Sequence, residues 1–312
     1  MPDEIFIIIV TYQSADHIQA CLASLSPADP ARKLTIIVID NASSDGTPAL
    51  IAAGLRALPA PRASGTVVLN RSNRGFTAAL NQGLALRPER AAVLFLNPDT
   101  VLPPASLDAL VQKLYSDEGL GVVAPQLRFP LCSPLPDELA AAKLQPSCRR
   151  FPAYWDLLCE FTALSALFPK SGLFNRWKMG DFDHRSSREV DQPQGACLLA
   201  RAEVVAQAGN WDERFPLFFS DVDWCRRVRE LGCKIRFQPE VFVWHVQGAS
   251  VKQTKPAAVW SSHLSFWRYF RKWRRSLADE ILSLIAGPLL MLAAVLRIIW
   301  HFLSSRLFLV RL

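Results

Sequence analysis

The chain has 312 residues, half of them hydrophobic and a fifth charged, with a formal net charge of +7 and a mean hydropathy of +0.14. That length can bury a core needing no staples, and the balance is too polar for a multi-span membrane protein. Seven scattered cysteines without a CxxC pair argue against a zinc site or a disulfide framework and fit a reducing compartment.

The opening Met1-Pro-Asp-Glu lacks the positive flank of a signal peptide, and the apolar run Ile5–Val10 is too short to be one. The main body is therefore expected in the cytoplasm. That same run is continuous and β-branched, as in a strand buried on both faces. Ser14 is placed to cap a helix carrying Ile18, Cys21, Leu22 and Leu25 at helical spacing. Leu34–Ile39 reads as a second buried strand, and Asp45-Gly-Thr-Pro48 opens another helix with Pro48 in its first turn. Val67–Leu69, a helix from about Gly75 to Leu86 and a strand at Ala92–Leu96 continue the alternation. It predicts an α/β fold with a mostly parallel sheet covered by helices on both faces. Residues 128–150, rich in proline and polar side chains, read as a long loop. A second structured region spans about 188 to 246, and the residues after about 260 form a separate tail.

Ligands of open parallel sheets bind beyond the carboxyl ends of the strands. Three polar clusters fall there: Thr11-Tyr12, Asp40-Asn41-Ala-Ser-Ser-Asp45 and Asn97-Pro98-Asp99. Asn, Asp and Ser are ordinary turn residues, and Asp45 reads best as a helix cap. Asp40 and Asp99, however, would converge on one crevice. Asp40 can accept a hydrogen bond from a base N–H, and Asp99 can hold a divalent cation, Mg2+ or Mn2+, against a diphosphate.

These clusters belong to a longer ordered series: Ile-Val-Thr-Tyr12, Val-Ile-Asp-Asn-Ala-Ser-Ser-Asp-Gly-Thr47, Asn73-Arg-Gly-Phe-Thr-Ala-Ala-Leu-Asn81 and Phe-Leu-Asn-Pro-Asp99. Further along come Leu144–Pro152, Val190–Arg201, Trp211–Arg227 and His245–Ser250. Over residues 4 to 275 the series resembles the family 2 inverting glycosyltransferases of the GT-A fold, and within them a rhamnosyltransferase-type branch of bacterial cell-surface polysaccharide synthesis. The resemblance implies a GT-A domain over residues 1–259, with a nucleotide-sugar half to about 127 and an acceptor half from 128. It implies a nucleotide-diphosphate sugar donor, dTDP-rhamnose for this branch, and a lipid-linked or oligosaccharide acceptor. Thr11, Tyr12, Asp40, Asn73, Arg74, Gly75 and Asn97 would bind the donor. Asp99 would be the metal ligand of the DxD element, whose first acid is Asn97 here. His245 would add a metal or diphosphate contact, against the competing reading of a satisfied core histidine.

An inverting displacement needs one group to take the acceptor hydroxyl's proton. The family places it in an acidic pair opening a helix, and this chain has Ser220-Asp221-Val-Asp223, with Ser220 where the first acid stands. Asp221 is the preferred base and Asp223 the second choice. Ser220 can instead cap the helix with both aspartates at its positive end. Positions two apart on a helix are about 200° apart, so the two aspartates cannot share one target. Arg149 and Arg150 are adjacent in the Pro-Ser-Cys-Arg-Arg-Phe-Pro segment and read either as a phosphate clamp or as solvated loop charges.

The tail of residues 260–312 joins a basic aromatic stretch, Arg268–Arg275, to an apolar run, Ile281–Leu296, interrupted by Gly287-Pro288. Arg297, His301, Arg306 and Arg311 follow. Sixteen apolar residues fall short of a span, so an interfacial or re-entrant helix pair on an anionic membrane surface is expected, at the cytoplasmic face of the inner membrane. The competing reading is a helix docked on a second subunit, giving a homodimer. A single nucleic-acid strand would also suit basic residues with interleaved aromatics, but the apolar run beside them favours lipid, and no nucleic-acid partner is expected. Because Ser220 replaces an acid, a catalytically silent sugar-nucleotide-binding or scaffold protein is the alternative to an enzyme.

Overall fold

The computed structural model describes residues 2–25, 32–130, 143–246 and 255–309. Strands β1 (Glu4–Thr11), β2 (Lys33–Asp40), β3 (Ala63–Leu69) and β4 (Ala92–Leu96) are parallel, in spatial order β3-β2-β1-β4. Helices α1 (Ile18–Ala23), α2 (Thr47–Arg56) and α3 (Phe76–Leu84) make the crossovers. The β1 side chains alternate between two layers, as a strand's period of two requires. Ile5, Ile7 and Ile9 pack with α1 and α2, whereas Phe6, Ile8 and Val10 pack with α3.

The second half is mixed. It runs through β5 (Thr100–Val101), α4 (Ser106–Tyr115), β6 (Leu120–Arg128), β7 (Leu144–Gln145), β8 (Cys148–Arg149), α5 (Tyr154–Phe161) and α6 (Leu164–Leu167). It continues with β9 (Arg188–Glu189), β10 (Gln192–Pro193), β11 (Cys197–Ala200), α7 (Ala202–Ala208), α8 (Ser220–Glu230) and β12 (Lys234–His245). β11 inserts antiparallel between β4 and β6, and β12 lies parallel to β6. Two short pairings position the site. β5 pairs antiparallel with the end of β12, setting His245 opposite Thr100, and β10 pairs with β8.

Some local expectations change. The Ser14 side chain does not cap α1; its carbonyl accepts from the His17 and Ile18 amides, and its hydroxyl turns back to Tyr12. Within the proline-rich stretch 128–150, residues 131–142 lie outside the described residues, and Leu144–Gln145 and Cys148–Arg149 form the short strands β7 and β8. Residues 247–250 of the last motif also lie outside them.

The tail forms a helical hairpin, α9 (Lys255–Lys272) and α10 (Leu277–Leu309). Gly287-Pro288 does not interrupt α10. Trp267 of α9 packs on Gly287, where a Cβ would come within 2.7 Å of the indole nitrogen. That nitrogen donates to the Ser283 carbonyl at 3.0 Å, so the neighbouring helix braces the turn around the proline. Phe266, Tyr269, Phe270, Ala286 and Leu290 share a core with Leu157, Phe215, Phe219 and Val222, which docks the hairpin on the body. The basic stretch is engaged in ion pairs. Lys272 pairs with Asp212 and Asp223, Arg271 and Arg274 with Glu280, and Arg275 with Glu230. The opposite face of α10 is apolar and open, with Leu284, Ile285, Leu289, Leu292 and Leu296 half or more exposed. Leu277–Trp300 is long and apolar enough to cross a membrane.

Candidate active site

A cavity of about 580 Å³ opens beyond the carboxyl ends of β1 and β4. Tyr12, Asn73, Gly75, Asn97, Asp99, Asp221 and His245 line it. Thr11 and Asp40 lie behind it. The Asp40 carboxylate accepts from the Thr11 hydroxyl at 2.8 Å and from the Ser43 hydroxyl and amide at 2.6 and 2.9 Å, tying two strand ends together. Arg74 contributes its amide, which donates to the Asn41 side chain at 2.9 Å. Asn41 is the organiser that sequence reasoning left unassigned: it also donates to Asn73 Oδ1 and the Gly75 carbonyl and accepts from Asn70. Gly75 sits at φ +84°, a region open to glycine at little cost, and starts α3 beside the cavity. Further along α3, Thr77 donates to the Phe215 carbonyl and Asn81 bonds both backbone groups of Trp211. The motif from Asn73 to Asn81 thus grips the loop that forms the far wall.

Asp99 and His245 meet through the β5–β12 pairing. The Val246 amide donates to the Asp99 carbonyl at 3.0 Å, and His245 Nε2 lies 3.5 Å from Asp99 Oδ1. Gln145 donates its amide N–H to the His245 carbonyl, which turns its oxygen toward His245 Nδ1 at 2.9 Å. Nδ1 must then carry the proton, leaving the Nε2 lone pair on the Asp99 side. Burial lowers the His245 pKa against the pull of Asp99. A neutral imidazole lone pair facing a carboxylate is a mismatch that a cation resolves, so the residues fit a divalent ion with oxygen ligands completing its shell. Among the described residues no group of three or more His, Cys, Asp or Glu that could hold a metal ion is found.

Asp221 stands at the first turn of α8. Its Oδ2 accepts from the Gly195 amide at 3.0 Å and Gln192 Nε2 at 2.9 Å, and its Oδ1 from the Val222 amide at 2.9 Å. Burial pushes its pKa up, with the Gly195 and Val222 amides pulling the other way. Gly195 makes the approach possible, since a Cβ there would lie 3.1 Å from that of Asp221. Ser220 does not cap the helix, as the competing reading of this motif had it. The position before the helix is Phe219, at φ +68°, and the Ser220 hydroxyl donates to the Leu217 carbonyl. Phe219 is held in this unfavourable conformation by rings on three sides, Trp177, Phe266 and Tyr269. Asp223 points away from the cavity. It is fully buried, paired with Lys272 at 2.7 Å and Arg227 at 3.2 Å, and accepts from Trp273 Nε1 at 2.9 Å.

A second cavity, also about 580 Å³, shares Gln194, Phe218, Phe219 and Asp221 with the first. Its other walls come from α5, α9 and α10, including Leu157, His263, Phe266, Leu290 and Arg297. Arg149 lines it, whereas Arg150 turns to Asp181 at 3.3 Å and lines neither cavity. The two adjacent arginines therefore do not clamp one phosphate together. Sequence alone placed Arg297 in the membrane tail and left Gly195 without a role, although the Gln-Pro-Gln-Gly stretch around Gly195 was visible.

Residues 2–260 match the model of a family described as glycosyltransferase like family 2. Over 174 residues the chain is 28% identical to the N-acetylglucosaminyl-diphospho-decaprenol L-rhamnosyltransferase of Mycobacterium tuberculosis, in two strains. The match covers 55% of this chain and 52% of the relative, so the chain spans about half the length of these curated relatives. Among solved structures, the mannosyltransferase PcManGT from Pyrobaculum calidifontis, in complex with GDP-Man and Mn2+, has a TM-score of 0.56 at 18% identity, covering 94% of this chain and 73% of its own. GalNAc-T7 with UDP, GalNAc and Mn2+ scores 0.52 at 14%, covering 78% and 43%. S. aureus TarS 1–349 scores 0.50 at 13%, covering 94% and 81%. At such identities the likeness is one of fold, the GT-A fold that the sequence motifs imply. With a family match over nearly the whole body, the chain belongs to the glycosyltransferase-like family 2.

Proposed function

We propose that the protein is an inverting glycosyltransferase that moves a sugar from a nucleotide-diphosphate donor onto a lipid-linked glycan at the cytoplasmic face of a bacterial inner membrane. The observation that carries this reading is the position of Asp221 at the junction of two cavities, one of which also holds Asp99 and His245. In this reading Tyr12, Asn73 and Gly75 contact the nucleoside, with Thr11, Asp40 and Asn41 holding their loops. Asp99 and His245 would hold a Mg2+ or Mn2+ ion, whose charge would offset that of the departing diphosphate. Mn2+ in the complexes of the PcManGT and GalNAc-T7 structures supports that ion.

Asp221 accepts the acceptor hydroxyl's proton as that oxygen bonds to the anomeric carbon and the bond to the diphosphate oxygen breaks. One displacement inverts the configuration and needs no protein nucleophile. The raised Asp221 pKa makes it a stronger base than an ordinary aspartate, while the ion-paired Asp223 serves the fold. The name of the M. tuberculosis relative supports a rhamnosyl donor and a prenyl-diphosphate-linked acceptor.

The catalytic unit would be residues 1–259 and the membrane-associating tail 260–312. α10 packs against the body along Ser283, Ala286, Leu290 and Ala294, so it is better suited to lie along the bilayer surface with its open apolar face in lipid than to cross it. The basic stretch, engaged in ion pairs, supports neither a nucleic-acid partner nor an electrostatic anchor by itself. Ser220 in place of an acid favours a second reading, a silent sugar-nucleotide-binding protein. A thermal-shift panel of nucleotide-diphosphate sugars, with and without Mn2+, tests both. A donor at a hundred times its dissociation constant stabilises by about 2.7 kcal/mol. Metal-dependent stabilisation with turnover supports the enzyme, stabilisation without turnover supports the silent protein, and no stabilisation contradicts both.

A further inference from the structure

The second cavity is apolar on most sides yet carries two guanidinium groups, Arg149 and Arg297, and Asp221 and Glu160 act on Arg149 only from beyond ion-pair distance. Leu157, Phe161, Phe266, Leu290 and Ala293 supply apolar wall. The charged and titratable groups facing it are Arg149, Arg297, His263, Glu160 and Asp221. Glu160 is engaged by Lys178 at 2.7 Å, and Asp221 by Gly195 and Gln192. His263 is held neutral by burial, with Nδ1 2.8 Å from the Val259 carbonyl. Among the described residues, Arg297 has no hydrogen bond or ion pair. Arg149 is partly buried, and its hydrogen bonds run from Nη1 alone to the Pro146 and Cys148 carbonyls, both at 2.8 Å. The rest of its fork has no carboxylate within ion-pair distance.

Arg297 comes from an otherwise apolar helix. Leu290, Ala293 and Arg297 recur at i, i+3 and i+7 on the cavity side of α10, while Ile285, Leu289 and Leu292 lie on its open side. Leu296 belongs to both, lining the cavity while 57% exposed, so the cavity mouth adjoins the apolar outer face. A ligand matching this surface has an anionic head for the two guanidinium groups and an apolar body for the aromatic and aliphatic wall. Guanidinium groups are the side chains best suited to phosphate oxygens.

We propose that Arg149 and Arg297 bind the phosphate of an acceptor carried on an apolar chain, with the helix that faces lipid supplying half of the clamp. This rests on the glycosyltransferase reading, and it assigns the second cavity to the acceptor's phosphate, leaving the donor's to Asp99 and His245. The charge at Arg297 would set the depth at which the acceptor's sugar reaches Asp221.

The test is a tryptophan-fluorescence titration of the full-length protein, since Trp177 lines the cavity. The probes are farnesyl diphosphate, farnesol and inorganic pyrophosphate. Farnesyl diphosphate should bind more tightly than either of the others, which separates a lipid-borne phosphate from a free one. Arg149→Gln and Arg297→Gln should each weaken it by about tenfold, the value of one charge-assisted contact, and leave farnesol unchanged. Arg297→Lys should restore part of the loss, and nucleoside-diphosphate affinity should stay at the wild-type level in every variant. Unchanged farnesyl diphosphate binding in both glutamine variants, or pyrophosphate binding as tight as the lipid's, would overturn the proposal. Arginine-dependent lipid binding in a protein that binds no nucleoside diphosphate would overturn the glycosyltransferase reading instead and leave this site standing.

Discussion

The two cavities that meet at Asp221 are built by opposite means. The first is made of loops at strand ends, where Asp40 accepts from Thr11 and Ser43 and Asn41 links Asn70, Asn73 and the Arg74–Gly75 backbone. The second is made of helices and rings, Phe219 against Trp177 and Phe266, with only a few polar groups. A polar network at strand ends fixes donor geometry because each bond constrains the next. An apolar wall fixes shape and excludes water but reads little besides chain length and charge. Under the proposed function, precise positioning would be concentrated on the donor side, while the acceptor side would grade its ligand by apolar burial and two guanidinium groups.

The sharpest way to break this comparison is at the shared residue. Asp221→Asn keeps the shape and much of the hydrogen bonding but cannot take a proton at neutral pH. Transfer should fall by about a hundredfold or more with donor affinity nearly unchanged, read by steady-state kinetics and nucleotide titration. On the donor side, Asp99→Ala should remove transfer together with metal-dependent donor binding while the circular dichroism spectrum stays native. Full activity in that variant, or in a chelator, would end the metal assignment.

Asp223 distinguishes structure from chemistry two residues away. Asp223→Asn leaves Lys272 and Arg227 without their buried partner, so unfolding free energy should drop by about 3 kcal/mol or more in a denaturant titration. A stable but inactive Asp223→Asn would reverse the roles of the two aspartates. Gly195→Ala pushes on Asp221 through the 3.1 Å approach. The expected cost is about tenfold in kcat, roughly 1.4 kcal/mol of barrier, with KM for the donor little changed. The smallest effect is on pH. The base form of Asp221 is lost as pH falls through its folded pKa, and burial has moved that pKa upward. The acid limb of the transfer profile should therefore lie above the ordinary aspartate range, and a limb at the ordinary value would contradict a desolvated base.

Membrane attachment sharpens the contrast from outside. Replacing Leu289 and Leu292, both half or more exposed, with serine should reduce sedimentation with anionic vesicles while transfer to a soluble acceptor persists. If the full-length protein instead remains in solution as a dimer that these changes dissociate, the face is a subunit interface.

Legibility followed the same division. β1, β2 and β4 were readable because a strand buried on both faces writes a continuous apolar run, and Thr11, Asp40 and Asn97 follow as its abrupt polar end. Asp99 and His245 were readable by motif, but what joins them, the two-residue strand β5 on the end of β12 and the Gln145 side chain, leaves no local pattern. The two aspartates of α8 were separable in principle by helical rotation, yet which one faced the cavity depended on the buried partners Lys272 and Trp273 from a distant helix. The second cavity was least readable. Ser147, Leu157, Phe219, Phe266 and Arg297 are assembled by packing between elements far apart in sequence, and Gly287-Pro288 reads as a break until Trp267 is set against it.

The central claim is that Asp221 works between a donor cavity and an acceptor cavity. Its most direct test is a transfer assay with full-length protein in anionic vesicles carrying a prenyl-diphosphate-linked N-acetylglucosamine, supplied with dTDP-rhamnose and Mn2+, the product's anomeric configuration being read by NMR. The account predicts a product of inverted configuration in the wild type and about a hundredfold less of it with Asp221→Asn at unchanged donor affinity. A product of retained configuration, or a wild-type rate from Asp221→Asn, would contradict it.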